Sequence, residues 1–279
     1  MAKVFVSVDL EGMPFVVSRE QLSTSGRLFN EAREISTRIV AAFASKLVEL
    51  GYEVVVADSH GQMVTLDPLR LPRGVRVVRG YPRPTSMVSH AKGSEFAAFL
   101  GYHARAGESS VFSHTYSGLS FYRVVVNGVE ASEFYLNSLL LGEWGVPIGL
   151  VAGSAELLRD VEYHAPWAVR VPLKESAGYY SAVSPSLAEL EEAVAKGAEE
   201  AARRARSGAL RPLEPRRPVT VAIEFASPAY AEVFSAVPGA ELVDGRTVKL
   251  TVDTMEAAYR LLELAAVASA GVRLLTQPR

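Results

Sequence analysis

The sequence predicts an α/β fold with a mostly parallel sheet, helices on both faces, and a smaller C-terminal β-α-β-β-α domain. Short β-branched runs alternate with helical stretches along the first half of the chain, as is typical of parallel strands joined by covering helices. A chain of 279 residues with 49% hydrophobic content can bury one large core or two unequal ones. One or two domains are therefore expected, without disulfide or metal staples.

The elements of the first half follow from hydrophobic periodicity and turn residues. The first strand, the helix after it and the strand after Gly51 form a βαβ unit. The predicted strands are Val4–Val8, Val54–Ala57, Val75–Val78, Ala97–Gly101, Val111–Ser113, Phe121–Val126 and Ile148–Ala152, and the predicted helices are Glu31–Leu50 and Ser132–Glu143. This alternation predicts a sheet that is largely parallel and covered on both faces.

A change of composition marks the end of the larger domain. Residues from Ser186 to Arg206 are rich in Ala, Glu and Arg and follow Pro185, which predicts a long, charged and mostly solvated helix. The stretch Leu210–Pro218 contains three prolines, as is typical of a connector. We therefore predict a larger α/β domain over residues 1–210 and a smaller domain over residues 216–279.

Composition and motifs exclude several classes of function. The net charge is −2 and no basic cluster is interleaved with aromatic residues, so no nucleic-acid partner is expected. The absence of cysteine rules out thiol catalysis and Cys-ligated zinc. Neither G-x-G-x-x-G nor a P-loop occurs, so no nucleotide cofactor is expected. The motif G-x-S-x-G is also missing, so the common α/β-hydrolase class is not indicated. No apolar run approaches a signal peptide or membrane span, so we expect a cytoplasmic protein without a membrane partner.

Residues that could bind a metal follow three predicted strands. Asp9 and Glu11 come directly after the first strand, two residues apart, and project to one side if the strand continues. His60 and His103 follow two further strands. Any one of these residues alone is more typical of a hydrogen-bonded strand end. Their coincidence favours a metal site, since ligands gather beyond the carboxyl ends of parallel strands and carboxylate with imidazole suits zinc or manganese.

Two more polar residues extend this candidate site. Glu133 stands near the start of an apolar helix, where a carboxylate also complements the helix dipole. With a bridging carboxylate, such a set could hold two metal ions about 3.5 to 4 Å apart. His114 follows the apolar Val111-Phe112 run, whereas His90 and His164 have no comparable setting and are predicted to be surface or structural residues.

These segments, in this order, resemble the zinc-dependent D-aminopeptidase family associated with dipeptide transport. The resemblance is carried by SVDLEGM, the triplet DSH, FLGYHARAG, the SH pair at 113–114 and the segment around Glu133. It continues through Val151-Ala152-Gly153, Lys174 and Ser184-Pro185 into the smaller domain, and so spans most of the chain.

The resemblance implies a site with two zinc ions per subunit. Asp9 would bridge the ions, Glu11 and His103 would complete one coordination shell, and His60 and Glu133 would complete the other. His114 matches the catalytic position of the family. We interpret it as a proton shuttle or transition-state stabiliser, because a hydroxide activated by metal is already a competent nucleophile.

The resemblance also implies a substrate class and an assembly. Family members act on short peptides with N-terminal D-residues such as D-Ala-D-Ala, and form a homodecamer of stacked pentamers. The segment from Glu175 to Tyr180 is shorter than the family pattern and lacks its usual Arg, which leaves substrate preference open. The alternatives are a dinuclear metal amidohydrolase for L-peptides or other amides, and a non-catalytic oligomeric peptide-binding scaffold. Whether Lys174 reaches the site is also left open.

Overall fold

The larger of two sheets contains seven strands in the order β3-β2-β1-β4-β7-β8-β9, with every neighbouring pair parallel except β8 and β9. The computed structural model describes residues 1–276. The strands of this sheet are β1 (Lys3–Val8), β2 (Glu53–Asp58), β3 (Val75–Val78), β4 (Phe96–Tyr102), β7 (Ile148–Ser154), β8 (Val169–Gly178) and β9 (Ser181–Val183). The predicted α/β class with a mostly parallel sheet is confirmed.

Helices cover both faces of this sheet. They are α1 (Arg19–Leu22), α2 (Phe29–Glu49), α3 (Glu133–Glu143), α4 (Ala155–His164) and α5 (Leu187–Arg206). Val4 and Val6 of β1 point into a core shared with α2 and α5, whereas Phe5 points into the core that contains α3 and α4. Alternate residues of a strand face opposite sides, so one short apolar strand serves both cores.

The second sheet has five antiparallel strands in the order β11-β12-β10-β5-β6. They are β5 (Phe121–Val126), β6 (Val129–Glu130), β10 (Val219–Phe225), β11 (Glu241–Leu242) and β12 (Thr247–Val252), accompanied by α6 (Pro228–Phe234) and α7 (Met255–Thr276). The C-terminal β-α-β-β-α order is as expected, but β5 and β6 come from within residues 1–210. The division at residues 210 and 216 stays a prediction, and residues 277–279 lie outside the described part.

Two local expectations were wrong. Val111–Ser113 is not a strand, because Phe112 adopts a left-handed φ of 51° and its N–H bonds to the Tyr179 carbonyl instead of a sheet neighbour. The helix α5 is not mostly solvated. Its stripe of Leu190, Val194 and small residues is buried against the sheet, while its charged residues point outward.

Among residues 1–276, no helix combines the length and the apolar character needed to cross a membrane.

Candidate metal centre

The three strand ends that carry the candidate ligands lie side by side. β1 is flanked by β2 and β4, with Val8 opposite Asp58 on one side and Leu100 on the other. All three strands run in the same direction, so their carboxyl ends share one edge of the sheet. Asp9, His60 and His103 therefore converge on one point, as the pattern of apolar runs followed by polar residues predicted.

Two glycines allow the chain segments to approach closely behind this point. The N–H of Gly12 donates to the carbonyl of Gly101 at 2.7 Å. A Cβ on Gly12 would lie 1.8 Å from the Tyr102 carbonyl oxygen, and one on Gly101 would lie 2.2 Å from the Asp9 carbonyl oxygen. Only glycine fits at either position, and the resulting turn brings Glu11 back beside Asp9.

The ligand atoms form two groups that share Asp9. His60 Nδ1 lies 2.8 Å from Glu11 Oε2 and 3.4 Å from Asp9 Oδ1. His103 Nε2 lies 3.4 Å from Asp9 Oδ2 and 3.6 Å from Glu133 Oε1. Each oxygen of the Asp9 carboxylate thus faces a different imidazole, which is the arrangement of a carboxylate that bridges two ions.

This proximity differs from the pairing that the resemblance implied. Glu11 was expected to share an ion with His103, and Glu133 with His60. In the structure Glu11 lies beside His60, and Glu133 lies beside His103 because α3 packs against β4. The same five side chains lie close together, but Glu11 and Glu133 exchange imidazole partners.

The remaining imidazole nitrogens are held by backbone carbonyls. His60 Nε2 lies 2.8 Å from the Leu22 carbonyl, and His103 Nδ1 lies 2.9 Å from the Ala104 carbonyl. A carbonyl can only accept, so each of these nitrogens carries the proton. The opposite nitrogen of each ring then faces the site with a lone pair in the neutral form, as metal ligation requires.

His114 completes the cluster from a loop. Its Nδ1 donates to the Phe112 carbonyl at 2.9 Å, and its Nε2 lies 3.6 Å from Glu133 Oε1. Its ring is stacked on that of His103, with the centroids 4.2 Å apart. Burial and the neighbouring His103 lower the pKa of His114, so this imidazole is neutral at pH 7 and can accept a proton at Nε2.

The charge balance of the metal-free site is unfavourable. Burial and the neighbouring Glu11 raise the pKa of Asp9 to about 8. Burial alone would lower the pKa of His103, but Glu133 and Asp9 raise it to about 9. The pKa of Glu11 is lowered because the imidazoles, His60 above all, outweigh its burial. Protons therefore neutralise a cluster of carboxylates that cations would otherwise neutralise.

The donor set fits zinc. His103 Nε2 is buried, yet it makes no hydrogen bond with any residue the structure describes. Buried polar atoms without partners are rare and point to a missing ligand. Three carboxylates with two or three imidazoles, and no thiolate, match the oxygen and nitrogen ligands of catalytic zinc sites.

The loop that carries His114 is held in a strained conformation by distant residues. Phe112 and Tyr116, on either side of His114, both have left-handed φ values, 51° and 63°, which are costly for aromatic residues. The N–H of Tyr116 donates to Glu133 Oε1 at 2.8 Å. On the other side, the N–H of Val111 donates to Ser176 Oγ at 2.9 Å.

Ser176 is itself held by Glu156 at the start of α4. Its hydroxyl donates to Glu156 Oε2 at 2.8 Å, and its N–H donates to Glu156 Oε1 at 3.1 Å. The Ser110 hydroxyl also donates to this carboxylate, at 3.2 Å. Glu156 and Ser176 carry no local signal in the sequence, since these contacts join residues that lie 20 to 65 positions apart.

Lys174 is buried on the same strand. Its side chain is 1% exposed, and its Nζ donates to the Val16 carbonyl at 2.6 Å. Burial lowers its pKa to about 7. The residue is therefore not on the surface, and it holds the segment that follows Glu11.

A buried hydrogen-bond network supports the site from below. The Ser7 hydroxyl lies 2.7 Å from the Tyr102 hydroxyl, and Asn137 donates to Tyr102 at 2.9 Å. Tyr259 of α7 donates to Asn137 at 2.7 Å. The network ties β1, β4, α3 and α7 together directly beneath the ligands, so the second sheet and its helix contribute to the rigidity of the site.

The ligands open onto a cavity of about 450 Å³. Asp9, Glu11, His60, His114 and Glu133 line one side, and residues of α7 line part of the rest. His103 is nearly fully buried behind them. A cavity of this size at the carboxyl edge of a parallel sheet, with ionisable groups of shifted pKa, defines the chain as an α/β protein with an enzyme-type cavity lined by candidate metal ligands.

Comparison with known proteins gives the family. The profile of the peptidase family described as D-aminopeptidase matches residues 2–264, and the chain belongs to this family. It is similar to a D-aminopeptidase of Bacillus subtilis (strain 168), with 29% identity over 273 residues, covering 93% of this chain and 95% of that protein. The expectation of a hydrolase of the aminopeptidase class is confirmed by this membership.

A solved structure shares the fold. It is described as the Zn-dependent D-aminopeptidase DppA from Bacillus subtilis, a self-compartmentalizing protease. The TM-score is 0.91 at 26% identity, and the match covers 96% of this chain and 98% of that one. The similarity in fold therefore extends over both sheets.

Proposed function

We propose that this chain is a zinc-dependent aminopeptidase that removes N-terminal D-residues from short peptides such as D-Ala-D-Ala. Two zinc ions would be held by Asp9, Glu11, His60, His103 and Glu133, with Asp9 bridging them. The observation that carries the proposal is the Asp9 carboxylate, whose two oxygens each lie 3.4 Å from a different imidazole. The descriptions of the relatives as zinc-dependent and as D-aminopeptidases support it.

The protein residues would act by holding and moving protons. Bound zinc would supply Lewis-acid polarisation of the scissile carbonyl and promote the ionisation of water. The neutral His114 accepts the proton of the attacking water at Nε2, because its Nδ1–H is fixed on the Phe112 carbonyl. It returns that proton to the amine nitrogen as the C–N bond breaks. The products are a free amino acid and a shortened peptide.

The assembly and the cellular location form part of the proposal. The relative DppA is described as self-compartmentalizing, and we extend that property to a homo-oligomer of this chain, a decamer by family resemblance, in the cytoplasm. An enclosed compartment would admit short peptides and exclude folded proteins. The 450 Å³ cavity is also of a size suited to a small ligand.

The alternatives differ in what they require of the site. A peptide-binding scaffold does not need its ligands intact, yet all six candidate side chains converge here. This convergence favours catalysis. An amidohydrolase for L-peptides needs the same ligands, so only substrates distinguish it. The segment from Glu175 to Tyr180 gives little support to a different substrate. Its Tyr179 and Tyr180 pack on Phe112 and are not among the residues that line the cavity.

Release of free alanine from D-Ala-D-Ala and L-Ala-L-Ala by zinc-reconstituted protein tests the proposal. His103→Ala provides the inactive variant and His164→Ala the matched control, because His164 pairs with Asp160 away from the cavity. We expect cleavage of the D-dipeptide by the wild type and by His164→Ala but not by His103→Ala. Cleavage of the L-dipeptide alone would support the alternative substrate class, and zinc binding without turnover of either dipeptide would refute the proposed substrate.

A further inference from the structure

The cavity contains one carboxylate that the metal site does not use. Glu263 of α7 lines the same cavity as Asp9, Glu11 and Glu133, but it belongs to neither group of candidate ligands. It is contributed by α7, the helix that packs with the second sheet, and not by the strand ends. Burial raises the pKa of Glu263, and the Ser86 hydroxyl partly offsets this effect.

Glu263 has no counter-ion among residues 1–276. The nearest cations that influence it are Arg83 and Arg260, and both are committed elsewhere. Arg83 donates to the carbonyls of Asp58, Val78 and Ser86, and Arg260 pairs with Glu256 at 2.8 Å. A half-buried carboxylate in a cavity without an ion pair has unmet capacity to accept hydrogen bonds.

The charge of the cavity shows what this carboxylate is suited to bind. Of the described residues that line the cavity, none is Lys or Arg. Two zinc ions would more than neutralise the other three carboxylates, and Glu263, outside both groups of candidate ligands, would remain a separate negative charge. A peptide substrate without charged side chains carries one cation, its α-ammonium group, so the Glu263 carboxylate is complementary to that end of the substrate.

We infer that Glu263 binds the α-ammonium group of the substrate and thereby selects peptides with a free N-terminus. The inference rests on the proposed function. An ammonium held by Glu263 would place the N-terminal residue of the substrate in the cavity that the candidate metal ligands also line. Tyr81, Val267 and Ala270 beside Glu263 offer surface for a small side chain. Glu263 would be a specificity-determining residue, whereas the metal ligands and His114 perform the chemistry.

Two substrates that differ only in the amino group test this role. D-Alanine p-nitroanilide carries the ammonium, and propionic acid p-nitroanilide is the same molecule without it. For each variant the measured quantity is the ratio of the two kcat/KM values, which a partly unfolded preparation leaves unchanged. Glu263→Gln removes the charge, and Glu232→Gln, an exposed glutamate of α6 in the same part of the chain, is the matched control.

We expect Glu263→Gln to lower the ratio ~10- to ~100-fold, the effect of losing one charge-assisted hydrogen bond. The change should appear mainly in KM for the ammonium substrate, with the zinc content unchanged, and Glu232→Gln should keep the wild-type ratio. A wild-type ratio in Glu263→Gln overturns the inference and leaves the proposed function standing. Failure of the wild-type, zinc-loaded protein to cleave D-alanine p-nitroanilide overturns both.

Discussion

The contact between Ser176 and the His114 loop provides a sharp test of how this site is positioned. Ser176→Ala removes the oxygen that accepts from the Val111 N–H at 2.9 Å and donates to Glu156 at 2.8 Å. Val111 is fully buried, so its N–H cannot turn to water. An orphaned buried donor costs about 1–3 kcal/mol, and the hydrogen bond to Glu156 adds about 1 kcal/mol.

The protein can respond to this loss in two ways, which have different effects on catalysis. If the loop stays in place, the protein loses about 2–4 kcal/mol of stability, which lowers Tm by roughly 4–10 °C. If the loop relaxes, the strain at Phe112 and Tyr116 (φ 51° and 63°) is released and His114 moves. A displacement of about 1 Å of a catalytic group lowers turnover ~100-fold.

We expect the second response, because the left-handed residues need external support. Ser176→Ala should lower kcat ~10- to ~100-fold with KM nearly unchanged, since the cavity wall itself is intact. The assay is D-dipeptide turnover at 25 °C together with thermal unfolding. Ser181→Ala, an exposed serine of the same hairpin, is the control. If Ser176→Ala keeps the wild-type kcat while Tm falls, Ser176 stabilises the fold without positioning His114.

Three further outcomes follow from the geometry. His114→Ala should lower kcat ~100- to ~10,000-fold, as expected for a positioned acid–base group, with zinc content unchanged by atomic emission; loss of zinc would make His114 a ligand. Burial lowers the pKa of Lys174 to about 7, so in zinc-free protein the unfolded chain binds more protons from pH 7 to about 10. The free energy of unfolding of wild type should therefore rise with pH relative to that of Lys174→Met. If the difference between the urea midpoints of the two proteins is the same at pH 7 and at pH 9.5, this expectation is wrong. Because no described cavity residue is Lys or Arg, D-Ala-D-Ala and its C-terminal amide should have kcat/KM values within about threefold; a loss above about tenfold would imply a cation that binds the carboxylate.

The parts of the site predictable from sequence are those that follow from strand direction. Asp9, His60 and His103 each come just after an apolar run, and parallel strands must end on one edge of the sheet. The local pattern therefore contains the geometric information. Glu133 could be proposed because an apolar helix begins there, although helix-dipole stabilisation alone would explain the same residue.

The remaining features depend on contacts between distant parts of the chain. Val111 and Phe112 have the composition of a strand, but Ser176 and Tyr179 bind this segment as a loop. Likewise, the apolar pattern of β5 gives no indication that it pairs with β10, some hundred residues later, rather than with the larger sheet. Which residues enter the cavity from α7 depends on that same pairing, so Glu263 carries no local signal.

The protonation of the metal-free site leads to a last prediction, on the linkage between zinc and protons. At pH 7 the cluster holds protons that zinc must displace, because metal ligands bind in their deprotonated forms. Asp9 titrates at about 8 and His103 at about 9, and the pKa of His60 is raised by Glu11 and Asp9 despite its burial. Glu11 and His114 have lowered pKa values and contribute no proton.

Zinc binding at pH 7 should therefore release roughly three protons per chain. Calorimetric titrations in buffers of different ionisation enthalpy measure this number directly, and it should fall as the pH rises through 9. The apparent affinity should rise over the same range, because fewer protons compete with the metal. Binding whose heat is independent of the buffer would mean that the carboxylates and imidazoles of the empty site are already deprotonated. The repulsion between the carboxylates would then be offset by something other than bound protons, and the electrostatic argument for two cations would lose its basis.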